Sequence, residues 1–120
     1  MSYTMLIVDD SRVSRMFIKS FTQEQHPDWL YLEAASGAEA IEIAKANALN
    51  LITMDLNMPG IDGIETGLQI KALQPDCIIT LLTANIQTST QERAANAGFH
   101  FLPKPITPVT ISKLLAIVGD

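Results

Sequence analysis

Five short apolar runs recur along the chain, each followed by a longer segment of helical period. The runs are Met5 to Val8, Leu30 to Ala34, Leu51 to Met54, Ile78 to Leu82 and Phe99 to Leu102, rich in Ile, Leu, Val or Met. Strand and helix in strict alternation is the rhythm of βαβ units. Three of the runs lack polar alternation, which suits strands covered on both faces of a parallel sheet. Right-handed crossovers between parallel strands put helices on both sides, so the expected fold is a doubly wound α/β sandwich of five parallel strands.

The intervening segments carry helix signals. Ser11 can cap a first helix that places Val13, Met16, Phe17 and Phe21 on one face and closes at His26-Pro27. Ser36 with Glu39, and Asp62 with Glu65, read as capping boxes opening a second and a third helix, through Ile41 and Ala44 and through Ile64 and Leu68. A more polar fourth helix runs from about Thr88 to Ala97 and stops at Gly98. The last has Thr107 as cap and Pro108 in its first turn, and buries Ile111, Leu114 and Val118.

Length and composition limit what such a fold can do. The 120 residues suffice for one domain with a real core, and not for two. A net charge of −5 excludes a binder that needs a basic field, such as a nonspecific nucleic-acid or anionic-membrane protein. Cys77 has no partner in the chain, so it reads as a small buried hydrophobe in a reducing compartment, which points to cytoplasm. The N-terminus has no signal-peptide pattern, and no apolar stretch approaches the ~20 residues of a membrane span.

Ligand sites in doubly wound sheets sit beyond the carboxyl ends of the strands. There the sequence places Asp9 and Asp10 after the first strand, Asp55 after the third, Thr83 after the fourth and Lys104 just past the fifth. Three carboxylates gathered at one apolar edge repel one another and resist desolvation, so protons or a cation must compensate. Without His or Cys ligands the set suits a hard divalent ion such as Mg²⁺, which is commonly held by one or two carboxylates and a phosphate. Neither His26 nor His100 falls at this edge, and both read as ordinary surface or loop residues. An ammonium and a hydroxyl beside the carboxylates form a pocket for phosphoryl oxygens, and carboxylates are known nucleophiles toward phosphorus. The turn Leu56-Asn57-Met58-Pro59-Gly60 fixes the chain after Asp55 and offers a carbonyl to the metal.

The segments Leu6-Ile7-Val8-Asp9-Asp10-Ser11, Met54 to Gly63, Leu82-Thr83-Ala84 and Lys104-Pro105 closely resemble the signature of response-regulator receiver domains of two-component signalling. The resemblance spans the chain in order and implies the strand order 2-1-3-4-5 of the flavodoxin-like fold. It further implies Asp55 as phosphoacceptor, and Mg²⁺ bound by Asp10, Asp55 and the backbone carbonyl of Asn57, with Asp9 acting mainly through a metal-bound water. Thr83 would hydrogen-bond the phosphoryl group and move toward it, Lys104 would pair with a phosphoryl oxygen, and the Lys104-Pro105 bond would be cis. Phe101 stands where the family keeps an aromatic switch residue, often Tyr; without the hydroxyl, its switching would rest on burial and rotamer alone.

Partners implied by the resemblance are a sensor histidine kinase or a histidine phosphotransfer protein. Family kinases dock near the first helix, where Arg12, Arg15 and Lys19 form a basic stripe beside Val13, Met16 and Phe17. Because the sequence stops just past the last helix, the expectation is a single receiver domain over residues 1–120, without an output domain, that signals by phosphorylation-dependent protein binding, as in chemotaxis. The runner-up roles are a phosphate sink or relay intermediate and, from another class, an aspartate-nucleophile phosphatase. The phosphatase fits poorly: its two aspartates usually lie one residue apart after the first strand, whereas Asp9 and Asp10 are adjacent. A flavin module would need a phosphate-cradling loop where two carboxylates stand. The chain is therefore expected to catalyse only its own phosphorylation and dephosphorylation.

Overall fold

The computed structural model describes residues 3–119. Met1, Ser2 and Asp120, which the reading of the two termini touches, lie outside the described residues. The elements are β1 (Thr4–Val8), α1 (Arg12–Gln25), β2 (Leu30–Ala34), α2 (Gly37–Ala46), β3 (Leu51–Met54), α3 (Gly63–Leu73), β4 (Ile78–Thr83), α4 (Thr88–Asn96), β5 (His100–Pro103) and α5 (Pro108–Ile117). All five strands pair in parallel, in the order β2-β1-β3-β4-β5. This is the doubly wound flavodoxin-like topology expected from the apolar rhythm and the family resemblance.

Alternation along the strands divides the core in two. Leu6, Val8, Ile52, Met54, Ile79 and Leu81 face α2, α3 and α4, meeting Ala40, Ala44, Ile64, Ile70 and Ala94. Met5, Ile7, Leu51 and Leu82 face the opposite way and meet Ile18 of α1 and Ile111, Leu114 and Leu115 of α5. The central strands β1 and β3 are buried at every position, which explains why their sequences lack polar alternation. Among the described residues no helix is long and apolar enough to cross a membrane.

The apolar face expected of α1 divides. Phe21 is half-buried against the α1/α5 core, but the helix buries Ile18 and Thr22, and Val13, Met16 and Phe17 remain 56%, 56% and 42% exposed. Two apolar stripes share this helix, and spacing alone does not say which one meets the sheet. At α2 and α3 only the forward half of each expected capping box forms: Ser36 Oγ accepts from Glu39 N–H at 3.2 Å and Asp62 Oδ1 from Glu65 N–H at 2.9 Å. The reciprocal box occurs instead at α5, where Thr107 and Thr110 bond each other's backbone N–H through their hydroxyls. Val118 ends α5 as its C-cap and is half-buried against the core rather than fully enclosed. Strand β5 begins one residue later than expected, and β4 extends to Thr83, which pairs with Pro103.

Candidate functional site

Strand register builds the site. Val8 pairs with Met54, so Asp9 and Asp55 leave the sheet at the same level, and the ladder continues through Asp55 N–H to Val8 O at 3.0 Å and Asp9 N–H to Ala34 O at 3.1 Å. Asp9, Asp10 and Asp55 each offer a carboxylate oxygen, and the three oxygens lie within 4.8 Å of one another. Asp9 is buried at 1% exposure and Asp55 at 8%, while Asp10 is open to solvent. From β5, Lys104 N–H donates to Thr83 O at 2.9 Å, and its ammonium turns back over the sheet edge. Nζ lies 2.9 Å from Asp9 Oδ2, 3.3 Å from Asp55 Oδ2 and 3.5 Å from Ser14 Oγ.

The charges are unbalanced. Burial pushes the Asp9 carboxyl above its ordinary value; the Lys104 ammonium and the Ser11 N–H pull it back, and the Asp55 charge raises it again. Burial alone would lower Lys104, but its bond to Asp9 and the charges of Asp55 and Asp9 outweigh that, so it is held above its ordinary value. Lys104 keeps some contact with solvent whereas Asp9 has almost none, which is why desolvation wins at one partner and attraction at the other. Three carboxylates and one ammonium leave two negative charges in close quarters. All donors are hard oxygens, so the cluster fits a divalent ion of the Mg²⁺ type.

The remaining expected residues take distinct places. Thr83 is fully buried at the end of β4, and its hydroxyl accepts from Asn85 N–H at 3.2 Å. Asn57 is exposed in the turn after β3. Phe101 is half-buried on the side facing α2, α3 and α4, level with Leu81. The Lys104-Pro105 peptide is cis. His26 stacks on Trp29 with ring centroids 3.9 Å apart, and His100 is exposed on β5, so neither joins the acidic edge. On α1, Arg12 and Met16 face solvent, but Arg15 turns inward at 15% side-chain exposure and pairs with Glu33 at 3.0 Å. Lys19 lies 3.9 Å from the same carboxylate. The solvated basic stripe is therefore interrupted, because a carboxylate on the neighbouring strand draws two of its three cations.

Three further positions support the site, and of these only Gly63 falls within the signature segments. Gly63 opens α3 so close beneath β3 that a Cβ there would overlap the Asp55 carbonyl oxygen. Ser14 reaches Lys104 across 90 residues of sequence. Asn85 Oδ1 accepts from Gln87 N–H at 3.2 Å and from Thr90 Oγ1 at 3.0 Å, which secures the start of α4, whose N-cap Gln87 makes no side-chain bond. The Asp-Gly pair at Asp62-Gly63 was the one sequence signal among these.

Together, fold and site define a class: a doubly wound α/β domain that carries an acidic cluster able to hold a cation, and a lysine, at the carboxyl edge of its sheet. The chain belongs to the response regulator receiver domain family, whose model matches residues 5–116. It is 36% identical over 106 residues to the chemotaxis protein CheY of Bacillus subtilis, covering 88% of each chain. It is 40% identical over 100 residues to the response regulator protein VraR of Staphylococcus aureus, covering 82% of this chain and 47% of that larger protein. Among solved structures, the chemotaxis protein CheY4 of Vibrio cholerae superposes with a TM-score of 0.87 at 26% identity, covering 98% of this chain and 99% of the other.

Proposed function

We propose that this chain is the phosphoacceptor of a two-component phosphorelay, taking a phosphoryl group onto Asp55 from a phosphohistidine on a sensor histidine kinase or histidine phosphotransfer protein. The observation that carries this is the Asp55 carboxylate at the sheet edge, 3.3 Å from the Lys104 ammonium and clustered with Asp9 and Asp10. A carboxylate oxygen of Asp55 attacks phosphorus, the P–N bond breaks, and the imidazole nitrogen leaves with the bonding pair. Water later attacks the same phosphorus, releasing inorganic phosphate and restoring the carboxylate. The chain acts on its own Asp55 and turns over no external ester.

Asp10, Asp55 and the Asn57 carbonyl would hold Mg²⁺ directly, and Asp9 through water. When bound, the ion neutralises charge on the phosphoryl oxygens. Lys104 exchanges its carboxylate contacts for a phosphoryl oxygen. Thr83 has one hydroxyl lone pair occupied by Asn85 N–H, which leaves its proton to donate to the phosphoryl group. The added charge draws Thr83 inward, and the Asn85 contacts give that movement a route to the start of α4. The surface of α4, β5 and α5, with Phe101 as its switch, then binds a target protein. Arg12 and Met16, exposed beside a groove of about 620 Å³ on α1, receive the phosphodonor. The acidic balance argues against nucleic-acid or membrane partners, and a cytoplasmic setting fits the lone buried thiol.

Incubation with Mg²⁺ and acetyl phosphate tests this assignment: wild-type protein takes up one phosphoryl group and Asp55→Asn takes up none. A stable phospho-adduct on the variant sinks it. A messenger role, as in chemotaxis, predicts a partner bound only by the phosphorylated form; a sink predicts rapid phosphate exchange with a kinase and no such partner.

A further inference from the structure

Arg15 is one of the few charged side chains of α1 drawn toward the sheet, and its two bonds join the Asp9 end of β1 to Glu33 on β2. Nη1 donates to the backbone carbonyl oxygen of Asp9 at 2.6 Å, and Nε donates to Glu33 Oε1 on β2 at 3.0 Å. Glu33 is itself flanked by Lys19 at 3.9 Å, so a carboxylate outside the Asp9, Asp10 and Asp55 cluster anchors the guanidinium. The carbonyl that Arg15 grips belongs to the peptide joining Asp9 to Asp10. That unit is planar, so fixing its oxygen fixes the plane from which the Asp10 backbone and side chain depart. Of the other anchors in this turn, the Asp9 N–H donates to Ala34 O at 3.1 Å, and Asp9 Oδ1 accepts from Ser11 N–H at 2.9 Å, which ties the peptide after Asp10, while Arg15 holds the carbonyl of the peptide before it. Asp10 is exposed, so packing does not set its direction.

We propose that Arg15 is a positioning residue for the cation site, aiming the Asp10 carboxylate through the Asp9-Asp10 peptide, with Glu33 orienting the guanidinium. This rests on the reading of the carboxylate cluster as a divalent-cation site. Positioning and plain electrostatics predict opposite signs. Arg15 is a cation near the site, so its charge by itself repels Mg²⁺ and its removal should tighten binding. If the residue instead holds the ligand in place, removal weakens binding, as loss of an outer-sphere support does.

Calorimetric titration of the full chain with Mg²⁺ decides between them, using wild type, Arg15→Met, Arg15→Lys and Asp10→Asn. The expected order is wild type tightest, Arg15→Lys weaker and Arg15→Met weakest, the last by roughly tenfold. Circular dichroism confirms that each variant is folded. Arg15→Met binding Mg²⁺ as tightly as wild type, or more tightly, overturns the proposal. If Arg15→Met does not fold, Arg15→Lys decides: it conserves the charge, so weakened binding supports positioning and unchanged binding overturns it. Failure of the underlying cation reading looks different, because wild type would then bind no Mg²⁺ and Asp10→Asn would change nothing.

Discussion

Gly63→Ala sets two physical effects against each other at the point where α3 meets the end of β3. Gly63 N–H donates to Leu56 O at 2.9 Å, which pins the start of α3 under the end of β3. An alanine Cβ would overlap the Asp55 carbonyl oxygen and stand 2.9 Å from both the Asp55 carbonyl carbon and Met54 Cγ. Carbon contacts are comfortable at about 3.5 Å or more, so the helix start must retreat by on the order of 1 Å. Backbone is the main obstacle, and no rotamer change relieves it. Overpacking of this kind costs ~1–3 kcal/mol, and the clash with backbone places this case in the upper half. Replacing glycine in a helix returns ~1 kcal/mol at most. The net expectation is a loss of about 1–2 kcal/mol, read as a lower urea midpoint with an unchanged slope. The variant also takes the phosphoryl group from acetyl phosphate more slowly, since the helix start that must move lies against the peptide of Asp55 itself. A Gly63→Ala protein as stable as wild type, or more stable, would mean that helix propensity dominates and would refute the packing argument.

Lys104→Met removes the ammonium shared by Asp9 and Asp55. Stability without Mg²⁺ should fall by ~3 kcal/mol, as when one partner of a buried pair is removed, and added Mg²⁺ should restore most of it; a melt insensitive to Mg²⁺ counts against the shared-charge account. Thr53 and Thr80 are adjacent in register, and their buried hydroxyls have no hydrogen-bond partner among the described residues. Thr80→Val should therefore leave the protein equally stable or stabilise it by ~1 kcal/mol in urea, whereas a marked loss would reveal a hidden partner. At high pH, burial holds the Cys77 thiol up at about 11 against 9.0, and burial with the Asp28 charge holds the Tyr31 phenol up at about 12 against 10.0. The unfolded chain releases these protons first, so stability is intact below pH 9.0 and declines from there through about 12. Cys77→Ala should remove the early part of that decline, and chemical denaturation at stepped pH measures it.

Much of the fold was legible because β1 and β3 lie at the centre of a parallel sheet, where continuous apolar sequence is required and local signals agree with the global arrangement. The acidic edge was legible for a related reason: strand ends follow from the runs, and parallel strands place all carboxyl ends on one side. What pairing across the fold decides was not legible. The direction of Arg15 depends on Glu33, which approaches only when β2 lies beside β1. Likewise the exposure of Val13, Met16 and Phe17 depends on how α1 rolls against the sheet, which a periodic pattern leaves open. Gly63 gives no hint in sequence that the carbonyl of Asp55 will lie against its α-carbon.

The central claim is that one carboxylate, Asp55, receives the phosphoryl group at a site that needs a divalent cation. Peptide mapping by mass spectrometry after brief exposure to acetyl phosphate, with Mg²⁺ and with a chelator, tests it most directly. The account predicts a single phosphoryl group on Asp55 that forms with Mg²⁺ and is lost in chelator. Phosphate found on Asp9 or Asp10, or on Asp55 to the same extent in chelator, would contradict it.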